Sequence, residues 1–234
     1  MPTGAGTNSK APVIFGRNGR PIDFGGKNAL AFIAQSSAAA RNGNIDAAYQ
    51  TYHAESVCAT NDEPVADFVG AAERAEFLHE RESIKTLCAG VTPAQVQERL
   101  RYLTTAARAG KAEAQIDFYM EGPDGRTAAQ HIGVGATDPD LQKWKEEAVG
   151  YLKAAAGQGE PFALGLLSQA YSAGELVPRD PRMALTYTVA EAIARDTVLT
   201  PAQLERRFGK QMTPAEFQQA WQSGVQVGRS CCKK

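Results

Sequence analysis

The chain has 234 residues, 43% hydrophobic and 22% charged, an ordinary globular composition with length for one elongated domain or two small ones. Its 25 Lys+Arg against 26 Asp+Glu leave a formal net charge of -1, so no basic excess exists to hold a phosphate backbone, which argues against a nucleic-acid partner. No uninterrupted apolar run approaches the ~18 residues of a membrane-spanning helix.

Residues 1–27 read as an N-terminal arm. The opening "MPTGAGTNSKAPVIFGRNGRP" is polar and turn-rich and lacks the apolar stretch of a secretory leader. An initiating Met ahead of such a segment is the pattern expected where a signal peptide has been trimmed. Asn18-Gly19 between two short apolar runs signals a hairpin turn, with Pro21 keeping the second run at an edge. A plain extended tail packing Phe15 and Phe24 on the body is the alternative. From Asn28 onward, Ala, Leu, Gln, Glu and Arg dominate and apolar residues recur at spacings of three and four. With turn residues as punctuation, the pattern predicts helices over residues 28–41, 44–57, 65–88, 93–108, 111–121, 139–157, 160–173, 181–195, 201–209 and 214–228.

Three of these helices share one opening. Thr92, Thr200 and Thr213 each precede Pro-Ala and then Gln95, Gln203 or Glu216. A Thr hydroxyl accepts from a first-turn amide, Pro has no amide to leave unsatisfied, and the Gln or Glu reaches back to the cap amide. Val91 with Val96, Leu199 with Leu204 and Met212 with Phe217 stand where a hydrophobic staple needs its two halves. The repeated letters therefore encode helix starts, and nothing about them requires chemistry.

A second repetition concerns architecture. "YLTTAARAGKAEAQ" at 102–115 aligns without a gap on "YLKAAAGQGEPFAL" at 151–164, and "FIAQSSAAARNGNIDAA" at 32–48 is a looser copy. Each is the end of one helix, a glycine turn at Gly110, Gly159 or Gly43, and the start of the next. Repeated helical hairpins imply units that bury their faces on their neighbours. The stretch 148–192 carries Ala155, Ala156, Gly159, Ala163, Leu167, Tyr171, Gly174, Val177, Asp180, Ala184 and Tyr187. In these residues the chain resembles the Sel1-like repeat, a relative of the tetratricopeptide repeat, well over about 45 residues and fairly over half the chain. The resemblance implies an all-α fold: a short α-solenoid of stacked antiparallel helical hairpins, with an extended N-terminal arm and C-terminal capping helices. The array is expected over 28–199, with insertions at 58–92 and 122–138. Helices and tail at 200–234 are expected to close its open end.

Candidate chemistry is sparse. His79-Glu80 begins an HExxH, but Ser83 replaces the second histidine. Ser230-Cys231-Cys232-Lys233 spells SxxK in the last residues, without its partner motifs. Gly133-Val134-Gly135 lacks the strand and third glycine of a nucleotide loop. His53, His79 and His131 are scattered, and His131 draws interest only because it lies in the long insertion. No catalytic residue, metal ligand set or cofactor site is expected. Four cysteines allow three pairings; Cys58 with Cys88 is the candidate disulfide, whereas the adjacent Cys231 and Cys232 would strain a bridge. Four reduced thiols in a cytosolic protein is the alternative. The first helix of each hairpin lines the concave side of such arrays, so Gln50, Gln115, Tyr119, Gln169 and Ser172 are candidate contact residues, although ordinary solvent exposure also explains them. The function implied by the resemblance is a non-enzymatic adaptor that binds a protein or peptide partner, in a periplasmic or secreted setting with a cytoplasmic one as alternative. A second reading is an enzyme: some cysteine-rich relatives are associated with β-lactam binding or hydrolysis, but they carry a cysteine pair in each repeat and this chain does not.

Overall fold

A computed structural model describes residues 13–60, 70–125 and 138–231. The fold is all-α. Among the described residues, a two-stranded antiparallel ribbon, β1 (Ile14–Phe15) and β2 (Pro21–Ile22), precedes ten helices. These are α1 (Ala29–Arg41), α2 (Ile45–Thr60), α3 (Ala71–Leu87), α4 (Pro93–Arg108), α5 (Ala112–Glu121), α6 (Pro139–Gly157), α7 (Pro161–Ala173), α8 (Pro181–Ala194), α9 (Pro201–Phe208) and α10 (Pro214–Cys231). The chain divides into two compact units, Met1–Tyr102 and Leu103–Lys234, with the boundary inside α4.

Helix positions follow the local chemistry closely. At all three Thr-Pro-Ala motifs the backbone amide of Gln95, Gln203 or Glu216 donates to the Thr hydroxyl at 3.3 Å. The Thr amide donates in return to the Gln or Glu side chain at 2.9–3.0 Å. The staple residues share apolar clusters as well. Val91 and Val96 pack on the apolar cluster of the first unit, and Leu199, Leu204, Met212 and Phe217 pack in one cluster of the second. Two helices run past their expected ends: α2 continues to Thr60, and α10 continues to Cys231 because Gly228 still packs on α8. α3, expected from residue 65, is helical from Ala71 after an extended Gly70, with 61–69 outside the described residues.

The three glycine turns share one hydrogen-bond pattern. Gly43, Gly110 and Gly159 have φ of 86°, 87° and 94°, and their amides donate to Ala40, Ala107 and Ala156. The next amides, of Asn44, Lys111 and Glu160, reach back to Ala39, Ala106 and Ala155. This is the Schellman closure, and its left-handed residue favours glycine. Ala47, Ala114 and Ala163, at equivalent places in the following helices, are all buried. Small residues there let the two arms of each hairpin approach.

In the first unit the ribbon forms as the Asn18-Gly19 signal predicts. Ile14 pairs with Ile22 and Phe15 with Pro21, and the Gly16–Gly19 turn closes with a 2.9 Å bond. Asn18 Nδ2 donates to the Tyr49 hydroxyl on α2 at 2.8 Å. Phe24, Ala29, Ile33, Ala54 and Cys58 form the apolar cluster beneath. In the second unit Leu152, Leu164, Leu167 and Ala190 join α6, α7 and α8, and Leu185, Phe208 and Phe217 join α8, α9 and α10.

α10 approaches α8 backbone to backbone. A Cβ added at Gly224 would lie 2.6 Å from the Thr186 carbonyl oxygen, and one at Gly228 would lie 2.8 Å from that of Ala190. Ala220, Gly224 and Gly228 are buried and spaced by four, so one bare stripe of α10 lies on α8. Thr186 Oγ1 adds a bond to the Ala220 carbonyl at 3.2 Å.

Candidate functional site

The sequence nominated five contact residues, and the structure separates them. Gln50 is exposed on α2 of the first unit. On α5 and α7 of the second unit, Gln169 is exposed and Tyr119 and Ser172 are half-buried. Gln115 is 4% exposed, which corrects its assignment to an open face. Its Nε2 donates to the Ala107 carbonyl at 3.3 Å, and its Oε1 accepts from Gln158 Nε2 at 3.2 Å. Gln115 thus ties the ends of α4 and α6 together. The physical reason is that α5 is enclosed on most sides: seven of its ten residues are buried, so its inner stripe is no longer surface.

Around Tyr119 and Ser172 the structure gathers side chains that the sequence offers only as part of the repeat resemblance. Helix α7 ends at Gly174, whose φ of 77° turns the chain sharply, and Arg179 passes so near that a Cβ there would meet the Arg179 Cβ at 3.0 Å. The loop returns with the Asp180 amide donating to the Tyr171 carbonyl at 3.0 Å. Asp180 then caps α8 by accepting from the amides of Arg182 and Met183. This reversal sets Tyr171 in the last turn of α7 against Tyr187 of α8, ring centroids 5.8 Å apart and planes 12° from parallel. Tyr119, Tyr171 and Tyr187 are all half-buried against the same Leu- and Ala-rich cluster. Burial raises the Tyr119 phenol, and the negative charge of Glu175 raises it further. Burial, with Tyr171 alongside, likewise raises that of Tyr187. These phenols therefore stay neutral at physiological pH, as amphipathic anchors with a hydrogen-bonding tip. Half-exposed aromatic faces beside the exposed carboxylate of Glu175 suit an apolar or cationic side chain of a partner.

A second unusual group lies in the first unit. Glu55 on α2 is 1% exposed, in a polar layer with Thr51 and Ser36, whose hydroxyls bond at 2.9 Å. Its Oε2 has no hydrogen-bond partner. Burial, followed by the charge of Glu98, pushes its carboxyl up to about 8, against the opposing pull of Arg99 and Arg101. Buried carboxyls of this kind can serve acid–base chemistry when substrate reaches them. Glu55 lines neither of the two described clefts.

The remaining sequence candidates are placed as follows. Cys58 and Cys88 are disulfide-bonded, Cα–Cα 5.6 Å. Cys231 is not a free thiol, and Cys232 lies outside the described residues. His53 packs on Tyr49 and Tyr52, with centroids 4.2 and 5.6 Å away. His79 is exposed on α3, where its carbonyl accepts the Ser83 hydroxyl. His131, Gly133 and Gly135 lie outside the described residues. Among the described residues no three His, Cys, Asp or Glu side chains converge to hold a metal ion, and no helix is long and apolar enough to cross a membrane. No family profile matches the chain, and no curated protein sequence matches it.

Proposed function

We propose that the protein is a non-enzymatic interaction module of the Sel1-like repeat type, working in a periplasmic or secreted setting. The observation that carries the reading is the stacked pair Tyr171–Tyr187, half-buried beside Tyr119 and Glu175 at the end of a helical hairpin. Rigid aromatic residues set in an apolar bed supply contact area at low entropic cost, and such residues dominate binding energy at protein interfaces. Gln169 and Ser172 on the same helix add polar contacts at its edge. The three matching Schellman turns support the repeat assignment, since each hairpin is built from the same Ala-Ala…Gly…Ala chemistry. The disulfide supports an oxidising compartment. The partner is a protein or peptide presenting a side chain of apolar or basic character to the tyrosines.

A photo-crosslinking amino acid in place of Gln169 tests this. Cross-linking in extracts of the native host is expected to yield a discrete partner that is lost in Tyr171→Ala/Tyr187→Ala, with the helical circular-dichroism signal retained. Cross-links that survive this double substitution would remove the tyrosines from the interface. Turnover of a penicillin analogue by the wild-type chain would replace the adaptor reading by an enzymatic one.

A further inference from the structure

Helix α3 is held unlike its neighbours. It has seventeen residues and none is buried. Its N-cap is Gly70, which makes no side-chain cap bond. Its Lys85–Glu82 ion pair is exposed, of the kind that contributes a few tenths of a kcal/mol. Leu78 is 44% exposed, and Phe77, Ile84 and Leu87 are half-buried. Helices in proteins gain most of their stability from a packed face, and that of α3 is only half-buried. Its firm attachment is at the C-terminal end. There Leu87 and Cys88 reach the Phe24–Ile33–Cys58 cluster, and the disulfide joins Cys88 to Cys58 of α2. Between the arm and α3 lies a cleft of about 520 Å³, with Ile14, Ile22 and Phe24 on one wall and Ser83, Thr86 and Leu87 on the other.

We propose that α3 is a strap across this cleft whose closure is set by the redox state of the Cys58–Cys88 bond. Oxidised, the bond pins the last turn of α3 and the cleft keeps both walls. Reduced, the few half-buried contacts of α3 do not hold it, and the apolar wall of Ile14, Ile22 and Phe24 becomes open surface. The reductant is a dithiol. Its thiolate attacks Cys88 Sγ, because Cys88 is half-exposed whereas Cys58 is 7% exposed. A mixed disulfide forms, the Cys58–Cys88 bond breaks, and Cys58 leaves as a thiolate that takes up a proton. The second thiol of the reductant then displaces Cys88, which is protonated in turn. Two electrons and two protons pass to the protein, and the dithiol ends as a disulfide. Unlike the adaptor proposal, this inference involves none of the tyrosines.

Hydrogen exchange on the full chain, read by mass spectrometry, tests the strap. With dithiothreitol, and separately in Cys58→Ala/Cys88→Ala without reductant, amides of α3 are expected to exchange at least about tenfold faster, while those of α1 and α2 keep their protection. Reoxidation of the reduced wild-type chain restores the slow rate. Unchanged exchange in α3 would show that the bond is not what holds it. Equal acceleration in α1, α2 and α3, including outright unfolding of the variant, would make the bond a staple of the whole unit and end the proposal.

Discussion

Helices α3 and α10 are nearly equal in length, seventeen and eighteen residues, yet they are secured in opposite ways. α10 begins with a complete capping box and staple, and it lays Phe217, Ala220, Gly224 and Gly228 along one buried stripe. α3 begins at a glycine with no side-chain cap, buries no residue, and ends beside a disulfide. Packing is distributed over four turns in one case and concentrated at a single covalent point in the other. A helix of the first kind unfolds with its unit, whereas one of the second kind can move without it. The difference lies in side-chain size and spacing: α10 alternates bulk and bareness to fit α8, while the Glu- and Arg-rich sequence of α3 offers no continuous apolar face.

The sharpest way to break this comparison is to fill the bare stripe. Gly224→Val/Gly228→Val drives side chains into the carbonyls of Thr186 and Ala190, and about 2–6 kcal/mol of stability is expected to be lost. Urea unfolding followed by the fluorescence of Trp144 and Trp221, both in the second unit, reads this loss, and far-ultraviolet circular dichroism reads the first unit. Ala75→Leu on exposed α3 is expected to stay within about 0.5 kcal/mol. Comparable losses at both places would erase the distinction drawn here.

A smaller effect concerns the polar layer in the unit that holds α3. Burial raises Glu55 from 4.5 to about 8, so the folded chain binds that proton more tightly than the unfolded one. Its contribution is therefore complete below about pH 4.5 and is lost as pH rises through about 8. Glu55→Gln is expected to flatten this decline and to make the first unit more stable at alkaline pH, by an amount on the order of 2 kcal/mol. Denaturant midpoints between about pH 5 and pH 9 for both chains measure it, and parallel curves would show that Glu55 does not carry the dependence.

The smallest effects lie at the helix starts. Thr213→Ala removes the hydroxyl that the Glu216 amide uses, at an expected cost of about 1 kcal/mol. Gly70→Asn supplies α3 with the missing cap group and is expected to gain only a few tenths of a kcal/mol. Thermal unfolding separates the two, and equal magnitudes would mean that the cap matters no more to α10 than to α3.

Much of this fold was legible in the residues because its signals are local. A Thr hydroxyl finds an amide three residues on, and a glycine closes a Schellman turn with carbonyls a few positions back. Neither needs a distant partner, so the helix starts at Thr92, Thr200 and Thr213 and the turns at Gly43, Gly110 and Gly159 follow from the chain alone. The candidate site was less legible. Tyr119 and Ser172 came from an assumed open face, but Tyr171 and Tyr187 are sixteen positions apart and meet only because the loop from Gly174 to Asp180 reverses the chain. Gln115 has the polarity of a surface residue, and nothing nearby announces that its Nε2 donates to α4 while its Oε1 accepts from Gln158 at the end of α6.

What the sequence by itself determined is where the capped helices start and how the three glycine hairpins turn, since those contacts close within five or so residues; the start of α3, expected at residue 65 and found at Ala71 behind an uncapped Gly70, was not among them. Tertiary structure alone decided which faces vanish, with α5 enclosed and α3 left bare. It also decided that two glycines of α10 lie against the backbone of α8 and that the chain parts into two units within α4. Burial depends on what stands opposite a residue, and that is set by contacts between segments far apart in the chain.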